Sequence, residues 1–238
     1  MMTEKMKNND SLRKGLISWA IKGVLYKAYV AAVLMLSAGR WDWAAGWIYV
    51  GIFLAFDAAS ALLVIPRNPE LLIERVTRKQ GVADWDKVIM PLAAGFLPLV
   101  GWIIAGLDLR FGWAPAVRPG LQAAGLVLTV IGYAVVAWAM GANAFFSAVV
   151  RIQEERGHRV ASSGPYRWIR HPGYLGAILF SGAVPFLLGS WWALIPGFFS
   201  ILLYVIRTDL EDKMLIKELP GYADYAESVK FLLIPGIW

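Results

Sequence analysis

AAGWIYVGIFLAFDAASALLVI, residues 44–65, carries a single charged side chain, Asp57, and PGLQAAGLVLTVIGYAVVAWAM, residues 119–140, carries none. At a rise of about 1.5 Å per residue, helices of this length cross the roughly 30 Å of hydrocarbon in a bilayer. The apolar residues come in unbroken runs and do not alternate with polar ones, which selects helices over the strands of a closed barrel. Similar runs at 18–40, 89–107, 173–188 and 191–206 bring the reading to six crossings of an all-α integral membrane protein. The whole chain agrees: of 238 residues, 58% are hydrophobic and 17% charged, and the mean hydropathy is +0.56. That is more apolar surface than one soluble core buries. Residues 1–238 read as one domain. Its last two spans, with Pro185 and Pro196, form a short, kinked helical hairpin, and 207–238 is a cytosolic C-terminal segment.

The net charge of +6 is a matter of topology. With a cytosolic N-terminus, only Arg40, Arg110 and Arg118 of the 23 basic residues fall outside. The positive-inside rule then puts both termini in the cytosol. This distribution argues against nucleic acid as a partner and for membrane lipids. Lys22 and Lys27 sit within the first apolar run, where they are expected to snorkel from an interfacial helix. The charged, polar start offers no cleavable signal peptide, so the first span is expected to stay. Trp41, Trp43, Trp47, Trp191 and Trp192 fall at the outer boundary as anchors. The long connections, 66–88 and 141–172, face the cytosol, so function is expected there. Asn68, Pro69 and Glu70 open an amphipathic run, with Leu71, Leu72 and Val76 set against Glu74, Arg75 and Arg78, that suits a helix on the membrane surface.

Chemistry concentrates in SGPYRWIRHPGYLG, residues 163–176. Gly164 and Pro165 make a turn, and Pro172 after His171 suits the first position of a helix. Free N–H groups at that helix start, beside Arg167, Arg170 and His171, would make an anion or carboxylate site. Tyr174 shares a face with His171, and Gly176 allows close approach of a backbone or a ligand. A second group follows the sixth span in RTDLEDKML, residues 207–215. There Arg207 and Glu211 share a helix face, with Asp209 and Asp212 nearby, at the mouth of an apolar bundle.

Together these stretches resemble the membrane methyltransferases of the isoprenylcysteine carboxyl methyltransferase and phosphatidylethanolamine methyltransferase superfamily. The matching parts are GPYRWIRHPGYLG, an apolar hairpin, Arg207 with Glu211 and Asp212, then Leu215, Tyr222, Tyr225 and Pro235. NPELLIERV, residues 68–76, is similar to an upstream segment of bacterial-type members, which implies an inner-membrane location. The chain departs from the family at Asp212, where a second glutamate is usual.

The resemblance implies S-adenosyl-L-methionine as methyl donor, S-adenosyl-L-homocysteine as product, and a lipidic acceptor entering sideways from the bilayer. It places Gly164, Pro165, Tyr166, Arg170, His171, Tyr174, Leu175, Gly176, Glu211 and Asp212 around the donor. Methyl transfer from a sulfonium needs chiefly alignment, so no covalent enzyme intermediate is required. Arg207 suits orienting an acceptor carboxylate through its planar fork. Glu211 can hold Arg207 or meet the donor's ammonium.

Asp57, an acid in hydrocarbon, and Asn143, after the fourth span, are further candidates for contact with substrate. Asp57 also suits an interhelical bond or a Lys27 partner, Asn143 also suits a helix end, and His158 reads as a solvated loop residue. With no cysteine and two histidines, no metal centre is expected. The rival readings are an NADPH-dependent lipid or sterol reductase and a non-enzymatic membrane protein. The first would need a home for phosphates, and no Rossmann glycine fingerprint supplies it.

Overall fold

The computed structural model describes residues 2–75 and 80–238, with side chains described from residue 10 onward. In chain order the helices are α1 (Met2–Ala38), α2 (Ala44–Val64), α3 (Glu70–Glu74), α4 (Asp86–Phe111), α5 (Pro119–Ala142), α6 (Pro172–Leu188), α7 (Leu194–Glu218) and α8 (Tyr222–Ser228). Among the described residues there is no strand. Four helices are long and apolar enough to cross a membrane: Asp10–Ala38 of α1, then α2, α4 and α5. The chain is therefore an all-α, multi-pass membrane protein.

The residues expected to form the fifth and sixth spans are helical, in α6 and α7, but neither helix meets the same length and composition. The apolar helix α6 has only 17 residues, and α7 is apolar in its first half and charged in its second. Helix α7 continues unbroken for 25 residues to Glu218, so Arg207 and Glu211 lie on one helix as the sequence suggested.

Pro91 interrupts α4 from within. Its ring and missing N–H oppose the regular ladder, and the backbone widens into a π turn over Leu92–Phe96. Met90, Ala94 and Pro98, around that turn, line a cavity between the helices. The closest helix pair is α5 against α6. A Cβ on Gly176 would lie 2.5 Å from the Gly132 carbonyl oxygen, and one on Gly125 would lie 2.6 Å from the Leu187 nitrogen. Glycine at these positions lets the backbones touch, as small residues do between membrane helices.

Two expectations about the N-terminal half are corrected. Lys27 does not snorkel: it is 5% exposed, forms an ion pair with Asp57 of α2, and lies 4.4 Å from the centre of the Phe53 ring. Pairing between helices meets the cost of both charges better than either alone could in lipid. The segment after α2 is not a helix resting on headgroups. Leu71 and Leu72 of the five-residue α3 are fully buried against Val64, Val136 and Met140, with Leu16 and Trp19 beside them. Burying such side chains gains about 1.5–3 kcal/mol each, which favours the bundle over the interface. The remaining members of that amphipathic run, Val76 and Arg78, lie outside the described residues.

Candidate active site

A cavity of about 310 Å³ runs from the interior of the bundle to the loops that precede α6. Its inner lobe is aromatic and lies between the crossing helices. Tyr49, Phe53, Trp102, Tyr133 and Phe180 line it, and the Tyr49 and Tyr133 hydroxyls are 3.3 Å apart. Its outer lobe is bounded by Asn143, His158, Tyr166, Leu219, Tyr222 and Tyr225. Tyr174, Arg207 and Glu211 line the cavity as well. They come from the first turn of α6 and the middle of α7, where the lobes join.

Arg207 does not pair with Glu211. Its Nε donates to Asp86 Oδ1 at 2.6 Å, and its Nη2 donates to Asp86 Oδ2 and to the Ala148 carbonyl, both at 3.0 Å. Asp86 is fully buried at the start of α4 and also accepts the Val150 N–H at 2.7 Å. Glu211 instead accepts a hydrogen bond from the Tyr174 hydroxyl. The Arg207 guanidinium lies 5.2 Å from the centre of the Tyr174 ring. The fork is thus occupied by a carboxylate 121 positions upstream. Its Nη1 makes no hydrogen bond among the described residues and is not sealed off in the protein.

Asp212 organises a second network. Arg170 donates to it twice, at 2.8 Å each, His171 Nε2 lies 2.9 Å away, and the Tyr222 hydroxyl donates at 2.8 Å. Because an ionised carboxylate only accepts, the His171 proton in this contact sits on Nε2. Burial works to raise the Asp212 pKa, but hydrogen bonds from His171 and Arg170, then Tyr222, outweigh it and hold the group at about 2. Arg170 also donates through Nη1 to the carbonyls of Ala226, Val229 and Lys230.

Part of the donor set beside the start of α6 is spent within the protein. The Arg170 and His171 N–H groups donate to the carbonyls of Phe231 and Leu232 at 2.9 and 3.0 Å. The C-terminal segment therefore satisfies these donors, and Arg170 is committed to Asp212.

Of the residues singled out by sequence, Asn143, Tyr166, Arg170, His171, Tyr174, Arg207 and Glu211 line the cavity. Among the described residues, Gly164, Pro165, Leu175, Gly176, Asp212 and Asp57 do not. Gly164 adopts a left-handed φ of 58° to make the turn, and Gly176 faces Gly132 of α5. Asn143 ends α5, donates to the Tyr166 hydroxyl at 3.3 Å and accepts the Phe145 N–H at 2.8 Å.

His158 is corrected: it is not a solvated loop residue. It lines the cavity with its ring centre 4.7 Å from that of Phe145, and burial, reinforced by Arg151 and Arg156, pushes its pKa down to about 4. Asp86 went unrecognised in the sequence, although an acid in the first turn of a helix is a readable signal. The inner aromatics gave none, because a ring in an apolar run looks the same whether it faces lipid or a cavity.

Residues 125–217 match the family model of the isoprenylcysteine carboxyl methyltransferase (ICMT) family. The match supports the resemblance read from the motif, and it covers most of α5, the loop with the 163–176 turn, α6 and nearly all of α7. It describes a membrane methyltransferase. Comparison with curated proteins finds no match to this chain.

Proposed function

We propose that the protein transfers a methyl group from S-adenosyl-L-methionine to a hydrophobic acceptor held within the membrane, leaving S-adenosyl-L-homocysteine. The observation that carries this reading is the single cavity joining an aromatic lobe between crossing helices to a polar, tyrosine-rich lobe among the loops. Two reactants of unlike polarity can enter from different sides and meet at Tyr174, Glu211 and Arg207. The donor supplies an electrophilic methyl on a sulfonium, and the protein's part is alignment and exclusion of water.

The outer lobe suits that donor. Asn143, the tyrosine rings and the half-buried Glu211 offer hydrogen bonds, flat faces and a negative charge to a cationic ligand. Glu211, fixed by the Tyr174 hydroxyl, holds the donor's cationic part. Arg207, fixed by Asp86, offers Nη1 to the acceptor's nucleophilic oxygen. The distribution of basic residues supports a cytosolic outer lobe. Calorimetric titration of the purified protein with S-adenosylhomocysteine and with NADPH tests the reading. Saturable binding of the first is expected, and binding of NADPH alone would overturn it. Labelled donor incubated with a lipid extract would then identify the acceptor by the mass it gains.

A further inference from the structure

A polar spot lies within the aromatic lobe of the cavity, where two tyrosine hydroxyls meet. Tyr49 of α2 and Tyr133 of α5 are both buried, and both line the lobe. Their oxygens are 3.3 Å apart, and among the described residues neither hydroxyl has any other acceptor than its partner. Trp102 of α4, with its ring centre 6.2 Å from that of Tyr49, adds an indole N–H to the same group. Apolar rings surround it. Phe180 stacks on Tyr133 with ring centres 4.5 Å apart, and Phe53 and Phe56 lie at 5.4 and 5.1 Å.

A tyrosine hydroxyl carries one proton, and an indole nitrogen donates but does not accept. An open chain of such groups therefore leaves one O–H proton over. If Tyr133 donates to Tyr49, the Tyr49 proton is spare, and if Tyr49 donates to Tyr133, the Tyr133 proton is. Either way it has no acceptor among the described residues. A donor kept from water and left unmet is costly, and phenylalanine at either position would keep the ring without that cost. The spare proton is thus available to whatever fills the lobe. Its depth follows from α6: Phe180, stacked on Tyr133, comes six residues after Tyr174, an axial distance of about 9 Å.

We propose that Tyr49 and Tyr133 form a hydrogen-bond-donating subsite for an oxygen within the apolar body of the ligand that fills this lobe. The ligand then carries a carbonyl or ether oxygen roughly 9 Å from the end that reaches Tyr174, where a plain hydrocarbon chain has none. A ligand hydroxyl fits less well, because it brings another proton to a place already short of an acceptor. That this ligand is the methyl acceptor rests on the methyltransferase reading above, whereas the subsite itself does not. The pair takes no part in the transfer and sets specificity. A site built to donate to a ligand oxygen turns away the analogue that lacks it, since the protein's own donor is then left unpaired.

Three alcohols of equal chain length test this on the purified protein in phosphatidylcholine nanodiscs: 8-oxohexadecan-1-ol, its isomer 15-oxohexadecan-1-ol, and hexadecan-1-ol. Partitioning of each between protein-loaded and empty nanodiscs removes the contribution of the bilayer. Wild type is expected to hold the 8-oxo probe at least tenfold more tightly than either of the others. The infrared carbonyl band of that probe, labelled with carbon-13, should shift to lower frequency on binding, as a ketone's does when it accepts a hydrogen bond. In the double variant Tyr49→Phe, Tyr133→Phe the preference and the shift should both vanish, with affinity for hexadecan-1-ol and for S-adenosylhomocysteine within twofold of wild type. Equal affinity for the two isomers in wild type, no binding of any probe, an unshifted band, or a preference that survives in the double variant would overturn the proposal. Tighter binding of hexadecan-1-ol than of either ketone would overturn it too, by leaving the spare proton to a buried water. If the double variant does not fold, the isomer comparison and the band position in wild type decide alone. Failure of wild type to bind S-adenosylhomocysteine would instead sink the methyltransferase reading and leave the oxygen subsite standing.

Discussion

Two arginine–aspartate pairs are buried at the loop end of the bundle, and they differ in what lies beside them. Arg170 and Asp212 spend their hydrogen bonds within the protein, although Arg170 also reaches the cavity: His171 and Tyr222 share the carboxylate, and three carbonyls between Ala226 and Lys230 take the rest of the guanidinium. Arg207, held from behind by the buried Asp86, stands at the wall of the cavity, with the Tyr174 ring and Glu211 lining it as well and one guanidinium nitrogen uncommitted. The first pair closes the C-terminal segment over the start of α6. The second fixes a charged group where reactants meet. Similar residues in similar burial therefore predict different losses, one of fold and one of rate.

The largest effect is expected at the first pair. Asp212→Ala leaves Arg170 buried without its counter-ion, and breaking one side of such a pair costs about 3–5 kcal/mol. Thermal unfolding in detergent should show a drop in melting temperature, with S-adenosylhomocysteine affinity lost alongside, since Tyr222 and Tyr225 line the outer lobe. An unchanged melting temperature would erase the distinction between the pairs.

The second pair should fail differently. Arg207→Lys keeps the charge and loses the fork, so turnover should fall on the order of 100-fold, or about 2.7 kcal/mol, with donor affinity within twofold of wild type. A wild-type rate in that variant would remove Arg207 from the chemistry. Initial rate and melting temperature measured on the same preparations decide it.

Much of this contrast was invisible in sequence. The four long spans were legible because unbroken apolar runs of bilayer length have few other uses, and the 163–176 turn was legible through its glycines and prolines. The pairing was not. Arg207 and Glu211 are four residues apart and so suggested each other, yet the structure gives each a partner from another helix: Asp86 from α4 and Tyr174 from α6. Periodicity describes one helix at a time, and a helix apolar on every side does not say which face meets a cavity. Tyr49, Trp102 and Tyr133 went unmarked for that reason.

Acid should separate the pairs again. The Asp212 pKa is held at about 2 against an ordinary 3.8. A depressed carboxyl pKa stabilises the fold above the ordinary value, and that contribution is lost as pH falls through the depressed one. The term amounts to about 2 kcal/mol, present above about pH 4 and gone near pH 2. In Asp212→Asn this part of the acid transition should be missing. An acid profile identical to wild type would show that other carboxyls govern the low-pH loss.

The smallest effects come from single oxygen atoms, and they sharpen the comparison most. Tyr222 gives its hydroxyl to Asp212, and Tyr174 gives its hydroxyl to Glu211. Replacing either with phenylalanine keeps the ring and removes one hydrogen bond to a charged acceptor, worth about 1.5–3 kcal/mol. At Asp212, Arg170 and His171 remain as donors, so the loss in Tyr222→Phe should fall near the low end and register as stability. At Glu211 no other hydrogen-bond donor is found among the described residues, so Tyr174→Phe should free the carboxylate to rotate at the cavity wall. Donor affinity should then weaken roughly tenfold, about 1.4 kcal/mol, while the melting temperature stays close to wild type. Calorimetry with S-adenosylhomocysteine reads the first quantity and thermal unfolding the second. If Tyr174→Phe lowers the melting temperature and leaves donor affinity intact, Glu211 belongs with Asp212 as part of the frame, and the site loses its proposed contact to the donor's positive charge.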